Sequence, residues 1–255
     1  MLIVVSPAKK LDYDTPATTS KSSVPSFLEQ SQVLIDRLRQ YSALDLAELM
    51  KLSMNLAELN FERYAQWQQD VSEESGKQCV LAFKGDVYQG LDAESFSEDD
   101  LDYAQQHLRI LSGLYGLLRP LDLMRPYRLE MGTRLPTERG KNLYEFWGSR
   151  ITDAINAQLQ AQGDDVLINL ASNEYFKAVK PKELAGRIIT PQFKEKKNGQ
   201  YKMIGIFAKK ARGLLSRYIL LNRLNDPEQI KGFDLEDYAF NPDLSNGDNW
   251  VFTRG

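Results

Sequence analysis

The apolar positions along the chain form two patterns, short continuous runs and stripes with a spacing of three and four residues. The continuous runs are LIVV (2–5), CVLAF (79–83), RILSG (109–113), VLINL (166–170), RIITPQF (187–193) and YKMIGIF (201–207). Such β-prone runs are typical of strands that are buried on both faces of a sheet. Between the last two lies EKKNGQ, in which Asn198-Gly199 favours a tight antiparallel hairpin.

Longer stretches between these strands predict helices. They run from about 27 to 40, from about 98 to 108 and from 141 to 161. Ser26 with Glu29, and Ser97 with Asp100, match the capping box that begins a helix, and Gly163 is the type of residue that ends one. Strands separated by helices can pair in parallel, so we expect an α/β fold. It would be a mixed β-sheet surrounded by helices, in a single domain over residues 1–255.

The stretch LMKLSMNLAELN (49–60) is compatible with two structures. Leu49, Leu52, Leu56 and Leu59 have the spacing of one buried helical stripe, but Ser53 inside it is a residue that starts helices. The alternative is two helices, 43 to 50 and 54 to 67.

In the two-helix structure, Lys51, Leu52 and Ser53 would form the turn of a helix-hairpin-helix. The backbone N–H groups at the start of the second helix would then hold a DNA phosphate. Both glycines typical of that turn are missing, so two ordinary packed helices remain the other interpretation.

Composition narrows the class of protein. The chain is 42% hydrophobic and 26% charged, as in ordinary globular proteins, and no apolar run approaches the roughly 20 residues of a membrane span. Because there is one cysteine and the N-terminus lacks a basic leader, we expect a cytoplasmic protein without a membrane partner.

The single cysteine and the single histidine exclude several kinds of site. A zinc site made of cysteine and histidine needs about four ligands, more than Cys79 and His107 can supply. His107 falls beside the apolar stripe of its helix, which predicts a helix-surface role rather than a place in a catalytic triad. There is no GxxxxGK[ST] and no GxGxxG motif, so neither a standard phosphate loop nor a dinucleotide-binding fold is indicated. We therefore predict neither a metal site nor a cofactor.

Positive charge is concentrated in one part of an acidic chain. The net charge is −3, yet residues 177–217 contain twelve Lys or Arg against Glu183 and Glu195, so that segment carries +10. This asymmetry predicts a cationic face that attracts nucleic acid, unless the lysines are simply solvated on a hairpin and a helix.

Polar residues follow five of the predicted elements at their carboxyl ends. They are Ser6 and Lys9; Lys84, Asp86 and Tyr88; Ser112 and Tyr115; Ser172, Asn173, Glu174 and Tyr175; and Lys209, Lys210 and Arg212. In open α/β sheets, ligands bind beyond the carboxyl ends of the strands, so we expect these residues to form one cleft. Its lysines would hold phosphates and its tyrosines would stack a base. The alternative is that these strand ends are merely polar.

Five long blocks of the sequence resemble the YaaA family of bacterial peroxide-stress proteins. They are MLIVVSPAKKLDY, LAFKGDVYQGL, FSEDDLDYAQQHLRILSGLYGLLRPLDLMRPYRLEMGTRL, INLASNEYFKAVKP and FAKKARGLLSRYI. The resemblance implies a cytoplasmic protein that limits unincorporated iron and oxidative damage. It also implies an α/β fold with a helix-hairpin-helix, a basic cleft and DNA binding. It transfers no catalytic residue.

Three hypotheses follow. The first is a DNA-binding stress protein that prefers deformed DNA or an extrahelical base. Its contacts would be Lys51, Leu52, Ser53, Lys9, Lys84, Tyr115, Tyr175, Lys209, Lys210, Arg212 and Arg217. The second is an enzyme acting on a nucleotide or flipped base, with Lys84 or Lys209 as nucleophile or base and Asp86 or Glu174 assisting. The third is an iron-handling protein. Because ligands for iron are scarce in the sequence, we expect any effect on iron to be indirect.

Overall fold

The computed structural model describes residues 1–255. The strands are β1 Leu2–Val5, β2 Lys10–Leu11, β3 Lys77–Gln78, β4 Phe83–Lys84, β5 Leu108–Ser112, β6 Gly116–Leu118, β7 Leu123–Met124, β8 Val166–Leu170, β9 Arg187–Lys197, β10 Gln200–Lys202, β11 Ala239–Phe240 and β12 Asn249–Arg254. The α-helices are α1 Leu28–Leu38, α2 Ala43–Met50, α3 Met54–Gln66, α4 Cys79–Ala82, α5 Asp86–Leu91, α6 Glu98–His107, α7 Leu143–Trp147, α8 Arg150–Gln162, α9 Asn173–Phe176 and α10 Gly205–Leu221.

A mixed central sheet with helices around it confirms the predicted α/β fold. The strand order is β11-β12-β9-β8-β1-β5-β6, and β10 pairs with β9. The inner pairs from β12 to β5 are parallel, whereas β6, β10 and β11 are antiparallel to their neighbours. The carboxyl ends of β1, β5 and β8 therefore lie at the same edge of the sheet.

The interior explains why the central strands read as continuous apolar runs. Every residue of β1, β5 and β8 is buried, because both faces of the sheet are covered. One hydrophobic cluster contains 64 of the buried residues. None of the helices combines the length and the apolar character that a membrane span requires.

Several predicted elements are confirmed closely. VLINL is β8, and the β9–β10 hairpin turns at Asn198 and Gly199, whose φ angles are +53° and +74°. The side chains of Ser97 and Asp100 form the expected capping box of α6. The helix predicted over 141–161 is confirmed in extent but not in continuity, because Gly148, with φ +54° and ψ −124°, divides it into α7 and α8.

Three local predictions are wrong. Most of CVLAF forms α4 rather than a strand, because a short apolar run fits a buried helical turn as well as a buried strand. In YKMIGIF, only the first two residues belong to β10, and α10 already begins at Gly205. The predicted Ser26–Glu29 capping box is absent, because α1 begins one residue later, after Phe27, without a side-chain cap.

The stretch 49–60 is two helices, α2 and α3, joined by a tight turn. Lys51 ends α2 with a left-handed φ of +55°, and Ser53 occupies the N-cap position of α3 without a side-chain hydrogen bond. The turn changes the phase of the helix, so the alternative of one helix with a single buried stripe does not hold. Leu56 and Leu59 are 39% and 41% exposed. The buried residues of the pair are instead Leu46, Met50, Ala57, Asn60 and Tyr64.

Candidate functional site

A cleft of about 470 Å³ lies beyond the carboxyl ends of β1 and β8. Ser6 follows β1 and Ser172 follows β8, and the backbone N–H of Ser172 donates to the Ser6 hydroxyl oxygen at 2.9 Å. The Tyr88 hydroxyl donates to the Ser6 carbonyl oxygen at 3.1 Å. These bonds hold the two strand ends and α5 together as the floor of the cleft.

Most of the strand-end residues predicted to meet do line this cleft. They are Ser6, Lys9, Lys84, Asp86, Tyr88, Ser172, Glu174, Tyr175, Lys209 and Arg212. Lys10 joins them, because β2 pairs with β4 and places Lys10 opposite Lys84. The strand-end rule therefore located the cleft, although it overlooked Lys10.

Two glycines for which the sequence predicted no role allow α5 and α10 to pack closely beside the cleft. A Cβ atom on Gly213 of α10 would lie 1.8 Å from the carbonyl oxygen of Val87. A Cβ atom on Gly90 of α5 would lie 2.1 Å from the carbonyl oxygen of Lys210. The backbones of α5 and α10 are therefore in direct contact, and Lys209 and Arg212 share the cleft with Asp86. A glycine inside each of two helices was the available clue, because glycine weakens a helix unless close packing requires it.

Two cleft lysines already have acidic partners. Lys84 pairs with Glu94 and lies 3.5 Å from Asp12, and its hydrogen bond to Glu94 is the main reason why its pKa is raised. A lysine that acts as a nucleophile or base needs a lowered pKa, so the structure argues against Lys84 in that role. Lys9 is 3.1 Å from Glu130 Oε1.

Lys209 and Arg212 have no ion-pair or hydrogen-bond partner for their charged groups. Lys209 is exposed, whereas Arg212 is half-buried, and burial lowers the pKa of its guanidinium. No carboxylate compensates for that burial. A partly desolvated charge without a partner is unfavourable. An anion bound in the cleft would therefore stabilise the charged guanidinium of Arg212.

Glu174 is exposed, whereas the neighbouring Tyr175 is less accessible than expected. Glu174 Oε1 accepts a hydrogen bond from the backbone N–H of Gly132 at 3.0 Å. Tyr175 is only 9% exposed, and burial raises the pKa of its phenol. Beside it lies a cavity of about 20 Å³, into which Glu130 also faces. Tyr175 can therefore offer a ligand only a small part of its ring.

The prediction that Tyr115 stacks a base is wrong for this structure. Tyr115 is completely buried. Its hydroxyl oxygen accepts hydrogen bonds from Trp67 Nε1 and from the backbone N–H of Arg125, both at 3.0 Å. Tyr127 packs edge-on against its ring. Tyr115 is therefore a core residue.

Lys210 and Arg217 also lie outside the lining of the cleft. Lys210 pairs with Glu236. Arg217 Nη1 donates to the carbonyl oxygens of Leu91 and Asp92 and to the Ser95 hydroxyl at 2.8 to 3.1 Å. Both cations stabilise the packing of α10.

The cations of the basic segment do not all converge on the cleft. Arg187 pairs with Asp248, and Lys180 pairs with Glu183. Of the twelve cations between residues 177 and 217, only Lys209 and Arg212 line the cleft. The turn residues Lys51, Leu52 and Ser53 are not among the lining residues either, so any phosphate contact they make belongs to a separate surface.

The histidine and the cysteine have structural environments. His107 is half-buried at the end of α6, where its Nδ1 lies 2.9 Å from the Met1 carbonyl oxygen and its ring stacks on Tyr103. Cys79 is buried, and its thiol donates to the Arg119 carbonyl oxygen. No group of three or more His, Cys, Asp or Glu residues is arranged to hold a metal ion.

The fold and the cleft define an α/β protein with a cationic cleft at the carboxyl edge of a mixed sheet. The family described as peroxide stress protein YaaA matches residues 1–244. A UPF0246 protein from Colwellia psychrerythraea is 58% identical over 254 residues, which cover 100% of this chain and 99% of the relative. The chain belongs to the YaaA family of peroxide stress proteins, which confirms the resemblance and supports a role in peroxide stress.

Proposed function

We propose that this protein acts in the cytoplasm as a DNA-binding protein that limits oxidative damage during peroxide stress. The observation that carries the proposal is the half-buried Arg212 beside Lys209, two cations without acidic partners in a concave site. DNA presents phosphates at regular intervals, and such cations bind them by releasing counterions. Lys9, Lys10 and Lys84 add positive charge to the same walls.

The charge distribution around the cleft favours a nucleotide displaced from the duplex. A second depression of about 670 Å³ shares Lys10 and Lys84 with the cleft. Its remaining wall carries four carboxylates, those of Asp12, Asp14, Asp92 and Glu94. A continuous phosphate backbone would be repelled there. A strand that enters the cationic cleft must therefore turn back, which suits an extrahelical nucleotide better than a regular duplex.

The α2–α3 turn is the second contact that we propose. Lys51 is exposed, and the Ser53 side chain leaves the first backbone N–H groups of α3 uncapped. These features would allow a phosphate to approach the turn, as in a helix-hairpin-helix. In this proposal, the protein affects iron only indirectly.

An enzyme that acts on the displaced nucleotide is the alternative. Asp86 faces the cleft without a hydrogen-bond or ion-pair partner, and Lys209 is likewise free. Lys209 rather than Lys84 would then be the nucleophile or base, with Asp86 or Glu174 assisting. Borohydride trapping of a protein–DNA adduct that Lys209→Gln abolishes would support this alternative.

A salt series with matched DNAs tests DNA binding. Anisotropy would give the affinity for a regular duplex and for the same duplex with one extrahelical base, between about 50 and 200 mM salt. We expect the logarithm of the affinity to fall linearly with the logarithm of salt concentration, and the extrahelical base to be preferred. Lys209→Gln should reduce the slope by about 0.9, whereas Lys202→Gln, on exposed β10, should not. No binding at low salt would refute the proposal, and equal affinities would refute the preference.

A further inference from the structure

Three large apolar side chains are exposed where β10 leads into α10. Met203 is 53% exposed, Ile206 is 59% exposed and Phe207 is 42% exposed. Phe207 has the Arg254 guanidinium 5.0 Å from its ring centroid. Neighbouring exposed apolar side chains indicate an interaction site more strongly than single ones do.

These side chains adjoin the free cations of the cleft. Ile206 precedes Lys209 by three residues on α10, so the two are neighbours on the helix surface, with a rise of about 4.5 Å between them. Arg212 follows three residues later and lines the same cleft. Ile206 is therefore an exposed apolar side chain next to Lys209 and Arg212, the unpaired cations of the cleft.

We propose that Ile206, flanked by Met203 and Phe207, inserts between neighbouring bases of the DNA strand that the cleft holds. This inference rests on the proposed DNA binding. The occupant must combine negative charge with flat apolar faces at close spacing, and a base step next to its phosphates has both. Minor-groove proteins use apolar side chains in this way, and they unstack the bases that the side chains separate.

The shape of the site favours DNA over an anionic membrane. An interfacial helix binds a bilayer with its cations beside the apolar face, level with the headgroups. Here Lys209 and Arg212 instead line a concave cleft of about 470 Å³. A flexible strand can enter such a cleft, whereas a bilayer surface cannot.

Fluorescence of 2-aminopurine tests the insertion. The probe would be a duplex with 2-aminopurine next to one extrahelical base, titrated with the full chain to saturation. We expect wild-type protein to increase the fluorescence, because unstacking relieves quenching. Ile206→Ser should abolish most of the increase even at saturation and weaken binding by about tenfold. The salt slope should not change, because an apolar contact releases no counterions. Ile206→Leu should retain the increase.

Val33→Ser is the matched control, because Val33 is an apolar residue on α1 with 41% exposure. Its fluorescence response should equal that of the wild type, and thermal melting should show that both serine variants are folded. If Ile206→Ser gives the full increase at saturation, the insertion is refuted while DNA binding stands. If wild-type protein does not bind the duplex, the proposed function fails first. If wild-type protein instead binds phosphatidylglycerol vesicles and Ile206→Ser does not, the patch is a membrane contact and the insertion is overturned.

Discussion

Arg212→Gln should weaken DNA binding without lowering the stability of the fold. The guanidinium has no protein partner, and its burial is the only cause of its lowered pKa. Replacing it with a neutral side chain of similar length removes an unfavourable burial of charge and breaks no hydrogen bond. We therefore expect the free energy of unfolding to stay unchanged or to rise by up to about 1 kcal/mol, which is a Tm increase of about 2 to 4 °C at most.

DNA binding should change in the opposite direction. A charge-assisted hydrogen bond contributes about 1.5 to 3 kcal/mol, so the loss of the contact between Arg212 and a phosphate should weaken binding by about 10- to 150-fold. The slope of log affinity against log salt should decrease by about 0.9, because one phosphate is no longer neutralised. Arg212→Lys keeps the charge without the planar fork, so its slope should be normal and its affinity intermediate.

Arg217→Gln on the same helix is the matched control. Its Nη1 donates to the Leu91 and Asp92 carbonyl oxygens and to the Ser95 hydroxyl. Losing these hydrogen bonds should destabilise the fold by about 0.5 to 1.5 kcal/mol, because two of the three are exposed to water. DNA affinity should change less than about twofold, or about 0.4 kcal/mol.

Urea unfolding and fluorescence anisotropy with the same preparations would measure both quantities. The two arginines should show opposite patterns. If Arg212→Gln lowers stability by more than about 1 kcal/mol and leaves DNA affinity unchanged, Arg212 is a packing residue and the cleft loses its main support as an anion site.

Other changes probe the frame of the cleft and its surroundings. Gly213→Ala should destabilise the protein by about 3 kcal/mol in urea unfolding, because its Cβ would lie 1.8 Å from a carbonyl oxygen of α5. Gly205→Ala is its control: a Cβ there meets nothing within 4 Å, and a loss of stability as large as that of Gly213→Ala would contradict the packing argument. Hydrogen bonds, led by the one from the Thr15 backbone, hold the pKa of Asp12 well below its ordinary value, so its charged form stabilises the fold. That stability is present above the unfolded pKa of about 4 and is lost as the pH falls, so Asp12→Asn should lower the Tm at pH 7 and the difference should shrink toward pH 2. A constant difference would count against this account. Burial lowers the pKa of His107, the only histidine, so its NMR titration midpoint should lie below about 6.5. Stability should then fall as the pH drops through that range, and a midpoint above 6.5 would contradict the burial argument.

Local patterns predicted the sheet well and the orientation of individual side chains poorly. Strand β8 and the turn at Asn198 and Gly199 follow from short-range preferences, and the convergence of strand ends follows from parallel pairing. Tyr115 follows a central strand as well, yet the chain there turns into the core. Nothing in the spacing distinguishes an inward tyrosine from one that faces the cleft, because the difference depends on Trp67, which lies 48 residues away in the sequence.

Pairing, rather than the density of positive charge along the chain, selects the cations of the proposed binding surface. The segment with a charge of +10 predicted a cationic face, but only Lys209 and Arg212 of its cations line the cleft. Lys180, Arg187 and Lys210 are paired with carboxylates. A ligand anion at Lys9 or Lys84 must compete with Glu130 or Glu94, whereas at Lys209 or Arg212 it competes only with water. The unpaired cations should therefore contribute most to affinity, and the paired lysines should contribute less at the same distance from the ligand. The proposed DNA binding is compatible with a net charge of −3, because it would depend on a few uncompensated charges in a concave site and not on the total.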